Sequence, residues 1–386
     1  MTHALVTVIM LALALSQVAP AVVYGQVIVV GNDEKVIFDD RGQPVFLAPG
    51  KDNVTFLDMS NREMPVVIGT LPLPNSLFGP PTNVAVTPDQ RLALISNAVN
   101  WVRDGDKWKA EPDNKLHVVD LRARPPRHLG SIEVGKQPSG ISINNAGDRA
   151  LVACREDKSV VLLSIRGEAV TVLDRVSVDD PVVHVTFTPD GRRALAAKFL
   201  HHRVAVLQIA NDKLTYAKPD MTVGQKPINI DITSDGKLAL VANVGEVDGH
   251  VDTVSVIDLE ASPPRVIDHV VVGDGPEGLA ISPKGDIAVA VLLRGSASAK
   301  NAWFYNRNGS VIVLKLDGKR VTRLAEVEVG GLPEGVVFSP DGGYLYVGNY
   351  LDKDVSVLKV DGTMVTNTGK RLALPGHPAS MRGRSR

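Results

Sequence analysis

The chain has 386 residues, 44% of them hydrophobic and only 4% aromatic, with 42 Lys and Arg against 43 Asp and Glu. A formal net charge of −1 excludes a global electrostatic pull on nucleic acid or anionic lipid. The single cysteine, Cys154, excludes an intrachain disulfide and reads as a buried, unreactive thiol.

Residues 1–25 read as an export segment. Ala4 to Leu15 is an apolar stretch of twelve residues, too short for a good spanning helix. Ala14-Leu15-Ser16, Ala19-Pro20-Ala21 and Val23-Tyr24-Gly25 offer small residues for cleavage. Met1-Thr2-His3 carries no Lys or Arg, a departure from the usual start of such a segment. No Cys lies near the cleavage zone, which argues against a lipoprotein. The expectation is a periplasmic or secreted protein, with residues 26–386 forming one domain that has no transmembrane segment.

Gln26 to Asn32, Asn53 to Asp58 and Pro65 to Leu71 read as strands. From there one unit repeats: a proline-led approach, a short apolar run and a turn. The runs open at Val84 (PTNVAVTPDQ), Ile141 (PSGISINNAG), Val185 (VHVTFTPDG), Ile230 (PINIDITSDG), Leu279 (PEGLAISPKG) and Val336 (PEGVVFSPDG). Pro378-Ala379-Ser380-Met381 is a seventh, partial approach. Successive spacings are 57, 44, 45, 49, 57 and 45 residues. In the clearest copy, Val336 to Phe338 is a strand and Ser339-Pro340-Asp341-Gly342 supplies turn chemistry. Tyr344 to Val347 and Asp354 to Leu358 follow as strands. Periods of ~40–50 residues with several strands per unit are the signature of a β-propeller. Seven approaches imply an all-β, seven-bladed propeller of four-stranded antiparallel blades. The N-terminus lacks an inner strand, while the C-terminus has one to spare from Pro378. The two ends are therefore expected to pair in one closing blade, which removes open sheet edges. Met381-Arg382-Gly383-Arg384 is a poor inner strand, and a solvated tail stays open as an alternative.

The pattern P-x-G-h-x-h-S-P-D-G-x-x-L-Y-V-x-N, followed by V-S-V-h-x-h, resembles the YVTN-repeat propellers, which include the YncE type. Pro333 to Val360 carries it best, and Pro227 to Leu259 and Pro276 to Leu316 follow closely. The likeness covers nearly everything from Gln26 onward. It implies an exported propeller similar in fold to lactonase-type propellers. It says little of function, because propellers host many unrelated activities.

The loops between second and third strands vary greatly in length and share one face with the approaches to the inner strands. They run over 33–52 in the closing blade, 98–114 in blade 1, 244–252 in blade 4 and 293–309 in blade 5. Blades 2 and 6 have only 155–158 and 350–353. Long loops gathered on one face mark a binding face. Two raised walls are expected beside the channel mouth, one from the closing blade and blade 1, the other from blades 4 and 5. Trp101, Trp108 and Trp303 all fall in these walls, with Phe304 and Tyr305 beside the last. They suit stacking on a ligand or partner, or equally pinning of the long loops.

Asn83, Gly140, His184, Asn229, Gly278, Gly335 and Ser380 occupy the position before each inner run, with Glu277 and Glu334 one residue earlier. His184 with Glu277, Glu334, Lys198, Arg155 and Arg294 would make a mixed polar ring at the channel mouth. Such a ring suits anion binding or general acid–base work, and equally a water-filled channel. The recurrent Asn at second-strand ends (Asn32, Asn97, Asn243, Asn349) has a plain reading as a turn-bonding side chain. Asp248, His250 and Asp252 are weak candidates for a metal, because so short a loop lacks the ligand count. His201-His202 is weaker still, since adjacent side chains on a strand edge point apart. No GxSxG, HExxH or CxxCH motif occurs, and nothing demands a cofactor. The leading expectation is a monomeric binding or scaffold protein, taking a protein partner or small polar ligand on its loop-rich face. A lactonase-like hydrolase or lyase using His184 with Glu277 or Glu334 is the alternative. DNA binding, implied by the YncE likeness, finds no support in the charge.

Overall fold

The computed structural model describes residues 26–385. The expected export segment lies outside them. Seven sheets of four antiparallel strands form the body. Blades 1 to 6 begin their inner strands at Val84, Pro138, Val182, Pro227, Pro276 and Pro333. Each then runs in chain order from the channel to the rim. The second strands are largely apolar, as in Leu238–Asn243 and Ile287–Leu292, where every residue is buried. Strands covered by neighbours on both faces read as continuous Val, Ile, Leu and Ala, which is why aromatics are scarce.

The repeated Ser/Thr-x-Asp turn has a definite job. Thr188 Oγ1 donates to Asp190 Oδ1 (2.6 Å), and the Arg193 amide donates back to Thr188 Oγ1 (3.2 Å). Thr233 with Asp235 and Ser339 with Asp341 repeat the bond. Each hydroxyl thus closes the turn from the inner to the second strand at the lower end of the channel. The recurrent Asn bonds mainly to side chains at the start of the third strand rather than to turn backbone. Asn349 donates to Asp354 and Ser356 and accepts the Gly330 amide, tying the second strand to the third.

Ring closure follows the expected pairing. His377–Arg382 pairs with Val27–Asp33, which pairs with Asn53–Asp58 and then Val66–Leu71. The register sets Val30 against Met381 and Gly31 against Ser380. The Arg-rich end is not a loose tail throughout. Beyond the strand, the Ser385 amide donates to Val86 O (2.8 Å) beneath blade 1. Met381, fully buried, packs with Ile28, Val337 and Tyr346. Gly335 lets it approach, since a Cβ there would lie 2.5 Å from the Met381 amide nitrogen.

Cys154 is buried, and burial pushes its thiol up to about 12, so it stays protonated and inert. Met381→Ala should cost about 2–5 kcal/mol of unfolding free energy. Denaturant unfolding of wild type and variant measures it.

Candidate functional site

The loop-rich face is built differently from two separate walls. The closing-blade loop carries a hairpin, Val36–Phe38 with Pro44–Phe46, that crosses the channel mouth and joins both walls. On one side the Phe46 ring lies 4.6 Å from that of Trp101 in blade 1. On the other, Arg41 bridges to Ala299 in the blade 5 loop, and the Lys300 amide donates to Asp40 O (3.1 Å). Gly42 permits this approach: its φ is +69°, and a Cβ would sit 2.5 Å from the Ala299 nitrogen. Phe38 packs edge-on to Tyr350, whose hydroxyl donates to Val36 O (2.8 Å).

A buried ion cluster seats the hairpin. Lys35, only 2% exposed, bonds Asp52 and the Asn75 carbonyl, with Asp33 at 3.4 Å. Burial pushes the Asp52 carboxyl up, against the pull of Lys35. Removing Lys35 would strand two acids in a dry interior.

Glu277 and Glu334, near the start of the inner strands of blades 5 and 6, are 9% and 2% exposed. Burial raises both carboxyls, and the charge of Glu277 raises Glu334 further. Glu334 Oε2 has no hydrogen-bond partner. The expected union of His184 with these acids is not formed. His184 lines the lower cavity, of about 530 Å3, which opens among the turns, and neither glutamate lines it. Its Nδ1 accepts the Ile230 amide of the next blade (2.9 Å). The proton is therefore on Nε2. Burial first, and then Arg382, hold its pKa well below 6.5. Ser142 and Asp231 make matching bonds to the next blade at Phe187 and Ile281. In this setting His184 is an inter-blade latch.

The other proposed ring members scatter. Lys198 turns into its own blade, to Asp220 (2.7 Å) and Tyr216 (3.0 Å). Arg294 contacts Glu326 (3.6 Å) and Asn306 on the blade 5 side. Asn83 and Asn229 stay at the channel, buried, each with an Oδ1 lacking a partner. Asp248, His250 and Asp252 do not converge. His250 meets the Trp303 ring edge-on, and Asp252 accepts the Gly275 amide (3.0 Å). Among the described residues no three His, Cys, Asp or Glu come together as a metal group.

The open feature of this face is an aromatic groove of about 750 Å3. Phe46, Phe78, Trp101 and Trp108 wall it, Leu200 lies at one edge, and Arg155, Lys107 and Lys109 line it together with Asp104 and Glu156. Trp101 is pinned between Phe46 and Phe78 (4.6 and 5.8 Å) and only 6% exposed, so it also serves the loop-pinning role. Its indole N–H has no partner. Arg155 sits 5.1 Å over the Phe199 ring. Trp303 is 76% exposed and belongs to a separate hollow of about 440 Å3 with Phe304 and Arg294. Tyr305 is half-buried in the same loop. The sequence reading missed Phe46, Phe78, Leu200, Lys35 and Tyr350. Phe46 carried the signal used for the tryptophans, an aromatic in a long loop.

No family model and no curated protein matches the chain. Solved structures do. A protein of unknown function from Desulfotomaculum acetoxidans shares 13% identity, with TM-score 0.69, over 94% of this chain and 99% of that one. The periplasmic gluconolactonase of Pseudomonas aeruginosa shares 17%, with TM-score 0.64, over 93% and 99%. Hydrazine synthase of Kuenenia stuttgartiensis shares 20%, with TM-score 0.59, over 75% and 79%. At these identities the likeness is one of fold: the chain is a seven-bladed β-propeller with lactonase-like neighbours.

Lys35→Ala should cost about 3–5 kcal/mol and unseat the hairpin. Thermal unfolding and faster proteolysis within residues 36–46 check it. A histidine with a lowered folded pKa gives stability that is full above the unfolded value of about 6.5 and is lost below it. Wild type should therefore lose stability relative to His184→Asn as pH falls from about 6.5, by at most about 1.4 kcal/mol per pH unit. The Asn Oδ1 can keep the Ile230 bond. Paired denaturant titrations across pH read the difference.

Proposed function

We propose that this chain is an exported binding propeller of the YVTN type whose ligand site is the aromatic groove over blades 1 to 3. The ligand class is a small molecule with one flat or apolar face and an anionic or strongly accepting group. The observation that carries this is the groove itself: four aromatic residues and Arg155 line one space of about 750 Å3. Rings stack on the flat face, while Arg155 takes the acceptor. Trp303 lies outside this space and serves no part of it. Export draws support from the apolar segment at residues 4–15 and from the periplasmic gluconolactonase among the structural neighbours. Among the described residues no helix is long and apolar enough to cross a membrane.

The lactonase reading draws on the same gluconolactonase neighbour. Against it, the His184 Nδ1 is engaged, and neither glutamate lines the groove or the His184 cavity. Gluconolactone hydrolysis followed by acid release should therefore stay at the uncatalysed rate. A rate that rises with enzyme concentration would overturn the binding reading.

The binding test is a fluorescence titration of the tryptophans against a panel of aromatic and sugar acids. A ligand that binds should lose about tenfold or more in affinity with Trp108→Ala or Arg155→Gln. Trp303→Ala should leave the affinity unchanged.

A further inference from the structure

Every blade contributes to the lower cavity. Ala85, Ser142, Thr186, Asp231, Ala280, Val337 and Arg382 each follow the residue that opens their blade's inner run, and all of them line it. Matching positions on the inner strands face the channel together and form one ring. The two halves of the ring differ. Ala280 and Val337 of blades 5 and 6 and Ala85 of blade 1 make a buried apolar side. Ser142, Thr186 and Asp231 of blades 2 to 4 make a polar side. Arg382 comes from the closing blade, which lies opposite blades 3 and 4 in a ring of seven.

The polar side has donors to give and an acceptor already used. His184 stands two residues before Thr186, on the same face of the strand, and is 2% exposed. Its ring is held on both flanks. Cδ2 faces Gly140 of blade 2, where a Cβ would lie 2.6 Å away, and Nδ1 accepts from Ile230 of blade 4. The far edge, with the Nε2 proton, therefore opens on the cavity that His184 lines. Arg382 lies near enough for its charge to act on this ring. Ser142 Oγ accepts the Phe187 amide (3.2 Å), which leaves its own proton to donate. Asp231 accepts the Ile232 and Ile281 amides (2.9 and 2.7 Å). It is the one carboxylate among the described residues that line the cavity, against two arginines, Arg382 and Arg384.

We propose that the lower cavity binds a small aliphatic carboxylate, with its acid group between Arg382 and the His184 Nε2–H and its chain along Ala85, Ala280 and Val337. A space that offers positive charge and N–H and O–H donors beside an apolar wall suits an acid head on an apolar body. The volume of about 530 Å3 lies within the ~300–1,000 Å3 of small-molecule sites. Only Phe187 and Phe338 bring rings to the lining, so the flat stacking that distinguishes the aromatic groove has little part here. The bound acid joins the closing blade to blade 3 across the channel. The cavity shares no residue with the groove, and its test does not depend on a ligand there.

The full chain is titrated with sodium octanoate by calorimetry and by thermal unfolding, with octanamide as the uncharged match. The expected result is about one octanoate per chain and a Tm that rises with its concentration. Octanamide should bind at least about tenfold more weakly, and Arg382→Gln should weaken octanoate by about tenfold or more. Should Arg382→Gln fail to fold, His184→Asn keeps the Ile230 bond but loses the distal N–H, and should weaken octanoate several-fold. Trp108→Ala should leave octanoate affinity unchanged. Absence of octanoate binding to the wild type at millimolar concentration would overturn the site. So would octanamide that binds as tightly, or affinity undiminished in both Arg382→Gln and His184→Asn. Affinity lost with Trp108→Ala would also overturn it, since the acid would then lie in the groove.

Discussion

Lys35 sits in the interior with Asp33, Asp52 and the Asn75 carbonyl around it. The base of the closing-blade hairpin follows from that arrangement. A buried cation is tolerated only where acids and carbonyls surround it, so the chain on either side must return to one spot. The hairpin that grows from this seat then does two things at once. Its Phe46 edge walls the aromatic groove against Trp101, and its Phe38 edge packs on Tyr350. The aromatic groove and the Tyr350 contact share one support.

The two ends of the channel obey different rules. The lower end is chemically monotonous, with a hydroxyl and an Asp closing most turns in the same way. The upper end varies from blade to blade in length, charge and aromatic content. Regular turns fix blade geometry and leave the upper loops free to diverge. Inter-blade bonds from Ser142, His184 and Asp231 mark where polar side chains serve the scaffold though they line the channel.

The fold was legible because its information is local and repeated. Turn residues, apolar runs and a period near 45 residues recur often enough to define blades, and the missing inner strand at one end matched the surplus at the other. The site was legible only in part. Trp101 and Trp108 were singled out from loop length and residue type, and both line the groove. Lys198 misled, because a strand-end position gives no hint that Tyr216 and Asp220 wait within its own blade. The path of the closing-blade loop was invisible, since no periodic pattern says that residues 36–46 cross to Ala299. Two walls in the sequence became one roof in space for that reason.

The shared closing blade has a kinetic side. Glu34 and His377 meet although they stand 343 positions apart in the chain. Loop-closure entropy grows only with the logarithm of chain length, so the seam costs little more at equilibrium than a far shorter one. Speed responds differently, because pairings this distant are slow to find. Until they form, the strand Val27–Asp33 stands with one edge unpaired, a template for any strand of matching pattern. The same His377–Arg382 segment from a second copy fits that edge as well as its own does. A ring closed by its two ends therefore carries a built-in route to exchange between molecules, governed by how concentrated the chains are while the seam is still open.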